Sequence, residues 1–254
     1  MEIRTHFFKS DEEQHIYHIG DIHAGIKDSD IRTAELAYEM AATVPNGWLI
    51  SMGDVCEYRE PGHPFYDSDQ CTMDIDAQLT WNFRQFNKCK GRIAGVLMGN
   101  HERKLSRETT INPVRRWCAE HTVPYLGSMA RINFVFPEGQ TYSMMVHHGY
   151  GAGRKKGGKV NMLGDFIKSH DVDCVVIGHV HQLHDWIETE LIYPNNHVKA
   201  RYKLCGLSGT FLRTYAEGAS GYAEERMMEP VPNGFLITHI HPERGIHMEK
   251  VLFG

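Results

Sequence analysis

Five short apolar runs, each stopping at a glycine or at a polar residue beside one, constrain the fold of this chain more than any other feature. Residues 15–19 run into Gly20-Asp21, residues 48–52 into Gly53-Asp54 and residues 93–98 into Gly99-Asn100. The pattern returns at residues 142–146, before His147-His148-Gly149, and at residues 172–177, before Gly178-His179. Runs of this length suit buried strands and are too short for independent helices. Helical patterning over residues 30–42, 74–88, 113–121 and 162–169 fills the gaps. Strand and helix therefore alternate, which predicts an α/β protein whose polar loops gather at one edge of its sheets.

From residue 199 onward the pattern changes. Segments 202–207, 234–239 and 245–253 resemble strands with little helix between them and are expected to complete a second sheet. Residues 217–232, rich in Gly, Glu and Pro, read as one long loop. Without an internal repeat or low-complexity linker, residues 1–254 are expected to form a single domain.

Charge and composition narrow the chemistry. A net charge of -5 provides no global positive field for nucleic acid, so any such binding needs a local basic patch. Histidine is over-represented at 17 residues, and neutral imidazole is the commonest protein ligand for transition metals. The six cysteines are dispersed, without a C-x-x-C pair, as expected of reduced thiols in a cytoplasmic protein. Neither a leader-like start nor a long apolar stretch is present, so no membrane association is expected.

The residues closing the five runs are of metal-binding type. In order they are Asp21-Ile22-His23, Asp54, Asn100-His101-Glu102, His148 and His179-Val180-His181. Carboxylate oxygen and imidazole nitrogen suit divalent transition metals, and a pair of ions about 3.5–4 Å apart needs one anionic ligand between them. Asp54 is the candidate bridge. On an extended segment, D-x-H and H-x-H spacings put both side chains on one face, which makes Asp21 with His23, and His179 with His181, natural pincers. His147 and His148 should point to opposite faces, and Gly149 favours His148 as the inward one. His239 and His241 repeat the H-x-H spacing without a neighbouring Gly or Asp and read as structural.

In this order the motifs resemble the calcineurin-like metallophosphoesterase superfamily, from about Ile16 to His181. The resemblance implies two mixed β-sheets packed as a sandwich and flanked by helices. It implies that Asp21, His23 and His181 hold one metal, that Asn100, His148 and His179 hold the other, and that Asp54 bridges them. Mn²⁺ is the ion family habit favours, with Fe or Zn²⁺ as alternatives. His101 would be the non-ligand histidine that stabilises phosphoryl oxygens or protonates the leaving oxygen. Glu57 stands where many relatives place an Asp that orients this histidine, and Glu102 competes for the role. The implied reaction is attack of metal-bound hydroxide on phosphorus.

Residues 149–159 follow the ligand His148 with glycines and four cations, Arg154, Lys155, Lys156 and Lys159. Exposed backbone N–H groups beside cationic side chains suit a phosphate or a nucleic-acid backbone. This stretch resembles a phage and prophage branch of the superfamily. Arg154, Lys155, Lys159 and Arg103 are therefore expected to bind substrate, and the expected activity is a phosphodiesterase acting on DNA, RNA or nucleotides. The alternatives are a phosphomonoesterase on a small metabolite and a non-catalytic metal-binding scaffold. The sequence sets no oligomeric state.

Overall fold

The structure, a computed structural model, describes residues 1–62, 66, 68–151, 156–215, 224, 227 and 229–253. The chain begins with β1 (Glu2–Phe7), β2 (Gln14–Ile19), α1 (Ile31–Thr43), β3 (Gly47–Ser51), α2 (Ile75–Lys88) and β4 (Ile93–Leu97). It continues through α3 (Asn100–Thr109), α4 (Pro113–Glu120), β5 (Tyr125–Gly127), β6 (Met129–Val135), β7 (Thr141–His147) and α5 (Lys156–Lys168). The final strands are β8 (Cys174–Ile177), β9 (Leu183–Ile192), β10 (Lys199–Thr210), β11 (Asn233–His241) and β12 (Gly245–Phe253).

Local chemistry sets the helix starts. The carboxylate of Asp30 accepts the Thr33 N–H at 3.2 Å, Asp74 accepts that of Ala77 at 2.8 Å, and Asn112 accepts that of Arg115 at 2.8 Å. Each satisfies a donor that the first helical turn leaves unpaired. Pro113 follows Asn112 as the first residue of α4, where a missing N–H costs nothing.

The strands form two mixed sheets. In the first, the order is β1-β6-β7-β8-β10, with β9 antiparallel on β10; in the second it is β11-β2-β3-β4-β5, with β12 antiparallel on β11. Strand β10 joins them, because its last residues pair with β11 at Gly209–Phe235 and Thr210–Gly234. The tail predicted to complete one sheet is thus divided. β10 serves the first sheet, and β11 and β12 the second. Within the sheets, β7 runs parallel to β8, and β2, β3 and β4 run parallel to one another, so their carboxyl ends face the same edge.

Three apolar layers separate the four structural layers. Between the sheets, Ile16, Ile50, Met52 and Leu97 of the second pack against Ile132, Phe134, Met144 and Val176 of the first. Outside the second sheet, Tyr17, Leu49 and Val96 pack under Ala34 and Tyr38 of α1, Trp81 and Phe86 of α2, and Trp117 of α4. Outside the first sheet, Met145, Val175 and Cys205 pack under Leu163 and Ile167 of α5. Removing a Val, Leu, Ile, Phe or Met side chain of this kind from water contributes about 1.5–3 kcal/mol. The arrangement is the helix-flanked two-sheet sandwich that the family resemblance implies, with Trp81 and Phe86 in the core.

Several elements depart from expectation, since β1, β5, β6, β9 and α3 occupy segments where no element was predicted. Helix α5 begins at Lys156 rather than at residue 162, so Gly157-Gly158-Lys159 belongs to a helix and not to a loop. Strand β1, which carries no apolar run, pairs in parallel with β6 from Glu2–Ala130 to Phe7–Val135. The long loop predicted for residues 217–232 lies largely outside the described residues. All six cysteines are unpaired, and no helix among the described residues is long and apolar enough to cross a membrane.

One buried histidine links the second sheet to pH. His18 of β2 is fully buried, its Nε2 lies 2.8 Å from Thr238 Oγ1, and burial pushes its pKa from 6.5 down to about 3. The folded state therefore keeps His18 neutral where the unfolded chain would protonate it. This contribution is complete above pH 6.5 and is lost as pH falls from 6.5 toward 3. Melting followed by circular dichroism should show stability falling steeply below pH 6.5, with a shallower fall in His18→Gln.

Candidate metal centre

The polar clusters lie just beyond the carboxyl ends of β2, β3, β4, β7 and β8, where the two sheets converge. The ends are stitched together by main-chain hydrogen bonds. Asp21 N donates to Gly53 O at 2.9 Å, His23 N to Asp54 O at 3.1 Å, and Gly178 N to His147 O at 3.1 Å. The approach is so close that no side chain fits at two glycines. A Cβ on Gly99 would stand 2.1 Å from Asp54 Oδ1, and one on Gly53, where φ is +89°, would stand 2.5 Å from Gly99 N.

The pincers converge, but not by strand alternation. Asp21 and His23 lie after β2 has ended, and His179 and His181 lie after β8. All four, with Asp54, have positive φ, between 49° and 67°. Left-handed backbone is uncommon outside glycine, although Asp and His tolerate it better than most residues. Such strain costs on the order of 1 kcal/mol or more per residue and persists where the surroundings enforce it, often at functional sites.

Both central carboxylates divide their oxygens. Asp21 Oδ2 accepts the His179 N–H at 2.7 Å, and Asp54 Oδ1 accepts the His101 N–H at 2.9 Å. The remaining oxygens, Asp21 Oδ1 and Asp54 Oδ2, are buried and have no hydrogen-bond partner among the described residues; nor has His179 Nδ1. Around Asp54 Oδ2 stand His148 Nε2 at 3.2 Å, His179 Nδ1 at 3.9 Å and His23 Nε2 at 4.0 Å. Asp21 Oδ1 lies 3.6 Å from His181 Nε2, which in turn is 3.2 Å from His23 Nε2. Asn100 Oδ1 closes the set, 3.0 Å from His148 Nε2.

Two imidazoles are oriented from behind. The His23 Nδ1 lies 2.8 Å from Glu57 Oε2, and the His148 Nδ1 lies 2.7 Å from the Met52 carbonyl oxygen. Donation through Nδ1 leaves the Nε2 lone pairs of both rings facing the centre, the arrangement that suits metal-ligating histidine. For His148, that lone pair would face two oxygens, Asp54 Oδ2 and Asn100 Oδ1, which is repulsive without a cation. Burial opposes charge on His148, but Asp54 outweighs it and raises the pKa to about 10. Burial likewise pushes Asp21 up to about 8, despite the opposing field of His148.

Unpartnered inward oxygens, inward nitrogen lone pairs and a mixed carboxylate, imidazole and amide donor set fit divalent transition ions. Asp21, His23 and His181 converge as one group, and Asp54, His148 and His179 as another. The structure thus brings together all seven residues singled out as ligands. His147 is turned away, with its ring centroid 6.1 Å from that of Phe166.

The remaining site residues are placed as follows. His101 lies at the rim of the centre, its ring perpendicular to that of His23 with centroids 4.7 Å apart. Its Nδ1 is held at 2.6 Å by the main-chain carbonyl oxygen of Glu57, whereas the Glu57 carboxylate is 3.7 Å away. That carboxylate contacts His23 and the Arg59 guanidinium. Burial acts against its ionisation, yet His101 and His23 bring its pKa down to about 2. Glu102 makes no hydrogen bond to the His101 ring among the described residues. Its oxygens accept the N–H groups of Asp54, Val55 and Gly99 at 2.9–3.0 Å, fixing the turn that carries Asp54.

Of the residues expected to contact substrate, Arg154 and Lys155 lie outside the described residues. Lys159 is buried and donates through Nζ to the Val180 carbonyl oxygen at 2.7 Å, bracing the residue between His179 and His181. Arg103 is half-buried and donates to Ser128 Oγ. Sequence reasoning missed the bracing roles of Glu102 and Lys159. The position of Glu102, third in its helix and able to reach back to Gly99, was the available signal for the first.

Comparison with known proteins places this geometry in context. Similar solved structures include wild-type Vps29 complexed with zinc from Entamoeba histolytica, 14% identical, with a TM-score of 0.46 over 95% of this chain and 100% of that one. A metallophosphoesterase from Sphaerobacter thermophilus is 12% identical, with a TM-score of 0.42 over 95% of this chain and 90% of that one. A predicted phosphoesterase from Streptococcus pneumoniae TIGR4 is 11% identical, with a TM-score of 0.39 over 95% and 98% respectively. A comparison with curated protein sequences found no match. The family model for calcineurin-like phosphoesterases matches residues 14–183, a span that holds all five candidate ligand segments. The chain belongs to the calcineurin-like phosphoesterase family and is a phosphoester hydrolase.

Proposed function

We propose that this hydrolase is a phosphodiesterase acting on nucleic acid or nucleotides, with two divalent transition-metal ions at the centre just described. The observation that carries the two-ion reading is the position of Asp54 Oδ2, unpartnered and flanked by nitrogens from both ligand groups. Asp21, His23 and His181 would hold one ion, Asn100, His148 and His179 the other, and Asp54 would touch both. When bound, such ions neutralise phosphate charge and lower the pKa of coordinated water.

The chain's own groups do the rest. Glu57 holds the ring of His23 with its carboxylate and that of His101 with its main-chain carbonyl, so one residue sets the spacing of a ligand and of a proton donor. With Nδ1 committed, His101 presents its other ring nitrogen to a phosphoryl or leaving-group oxygen. Lys159 and Glu102 are positioning residues, acting through Val180 and through the turn at Asp54. The diester reading draws on the basic stretch that follows His148 in sequence. The commitment of Lys159 and Arg103 to protein partners favours the competing reading, a phosphomonoesterase acting on a small metabolite.

Initial rates with p-nitrophenyl diester and monoester substrates in Mn²⁺ separate the two. A strong diester preference is expected, and a monoester preference would replace the proposal with its competitor. His101→Asn should lower kcat by about 10²–10⁴-fold while metal content stays at the wild-type level. Glu57→Gln should instead weaken metal affinity by about 10–100-fold, measured by equilibrium dialysis, because it loosens the orientation of His23.

A further inference from the structure

Far from the metal centre, a second convergence of metal-binding side chains occupies the opposite end of the second sheet. His15 is the second residue of β2, six residues before Asp21, which separates the two places by about 20 Å along an extended chain. His15 pairs across the sheet with His239 of β11, and His239 with His247 of β12. The Nδ1 atoms of His15 and His239 face each other at 2.8 Å, and Glu13 brings a carboxylate oxygen into the same group. All three ligand atoms fall within 4.8 Å of one another.

The surroundings favour a ligand role. His239 Nε2 lies 2.9 Å from Glu249 Oε2, so donation to that carboxylate leaves the Nδ1 lone pair directed at His15 and Glu13. The ring of His247 stacks on that of His239, with centroids 4.6 Å apart and 14° between planes, which limits its rotation. Burial and the neighbouring His239 both hold the pKa of His15 below its usual value, keeping it neutral as a ligand must be. The remaining charged neighbour is Arg244, whose exposed guanidinium contacts Glu13 at 3.4 Å. It can swing into solvent. Without a metal, a single proton between the two Nδ1 atoms satisfies both rings. A tetrahedral ion with bonds of about 2.0–2.1 Å requires them to separate by roughly half an ångström.

We infer that Glu13, His15 and His239 form a separate site for one divalent transition-metal ion of the zinc type, pinning the segment before β2 to β11. The site is independent of the hydrolytic centre. Zinc alone is the probe. After equilibrium dialysis, His15→Asn and His239→Gln should each retain one zinc ion fewer per chain than the wild type, with unchanged hydrolysis of p-nitrophenyl esters. Adding Zn²⁺ to ¹⁵N-labelled wild-type protein should shift the Nδ1 resonances of His15 and His239, a measurement that needs no variant to fold. Unmoved resonances, or equal zinc content in folded variants and wild type, would overturn the inference.

Discussion

Two buried carboxylates, each with one oxygen bonded to a main-chain N–H and the other left facing inward, are the constraint on which the rest of the structure depends. Asp21 and Asp54 are both removed from water, and their inward oxygens have no hydrogen-bond partner among the described residues. A buried anion in that state is costly unless a cation meets it. In the protein alone, a proton on His148 supplies part of that charge, since Asp54 holds this imidazole far above its usual pKa. A divalent ion would supply more, meeting the Nε2 lone pair of His23 and, once its proton is displaced, that of His148. The pull of His148 and His101 likewise keeps Asp54 well below its usual value despite the burial that opposes it.

The scaffold is shaped to bring those two carboxylates together. Parallel strands from two sheets end at one place, and the chain then turns sharply through left-handed residues at five of the ligand positions. The strain is held by main-chain bonds between neighbouring turns and by three braces, Glu102 under Asp54, Lys159 under Val180 and Thr210 Oγ1 on the Asp21 carbonyl oxygen at 2.8 Å. Gly53 and Gly99 permit the turns to touch. None of these groups is among the seven candidate ligands, yet each fixes where one of them stands. The site is therefore a property of the sandwich as a whole, which explains why so many polar side chains are buried beside it.

Much of this was legible in the sequence. Short apolar runs ending in Gly-Asp, Gly-Asn or Gly-His report strand and polar cluster together, so the five strands and the seven candidate ligands that converge beyond them could be read from spacing and resemblance. Strand β1 could not, because its residues are mostly exposed and its partner β6 lies more than a hundred residues away. The start of α5 was hidden by Gly157 and Gly158, which read as loop. Period-two alternation placed Asp21 beside His23 for the wrong reason, since the convergence comes from left-handed turns past the strand ends, and His179 and His181 fall in separate groups rather than in one pincer. The orientation of His101 by a main-chain carbonyl leaves no trace in residue identity. The pairing of His15 with His239 spans 224 positions and depends on sheet register, which local pattern does not encode.

We propose that Asp54 is shared by two metal ions. Anomalous diffraction from crystals grown with Mn²⁺, with data collected on both sides of the manganese absorption edge, tests it most directly. The account predicts two anomalous peaks flanking Asp54, one among Asp21, His23 and His181 and the other among Asn100, His148 and His179. A single peak at full occupancy, or a pair that leaves Asp54 outside the coordination of one ion, would contradict it.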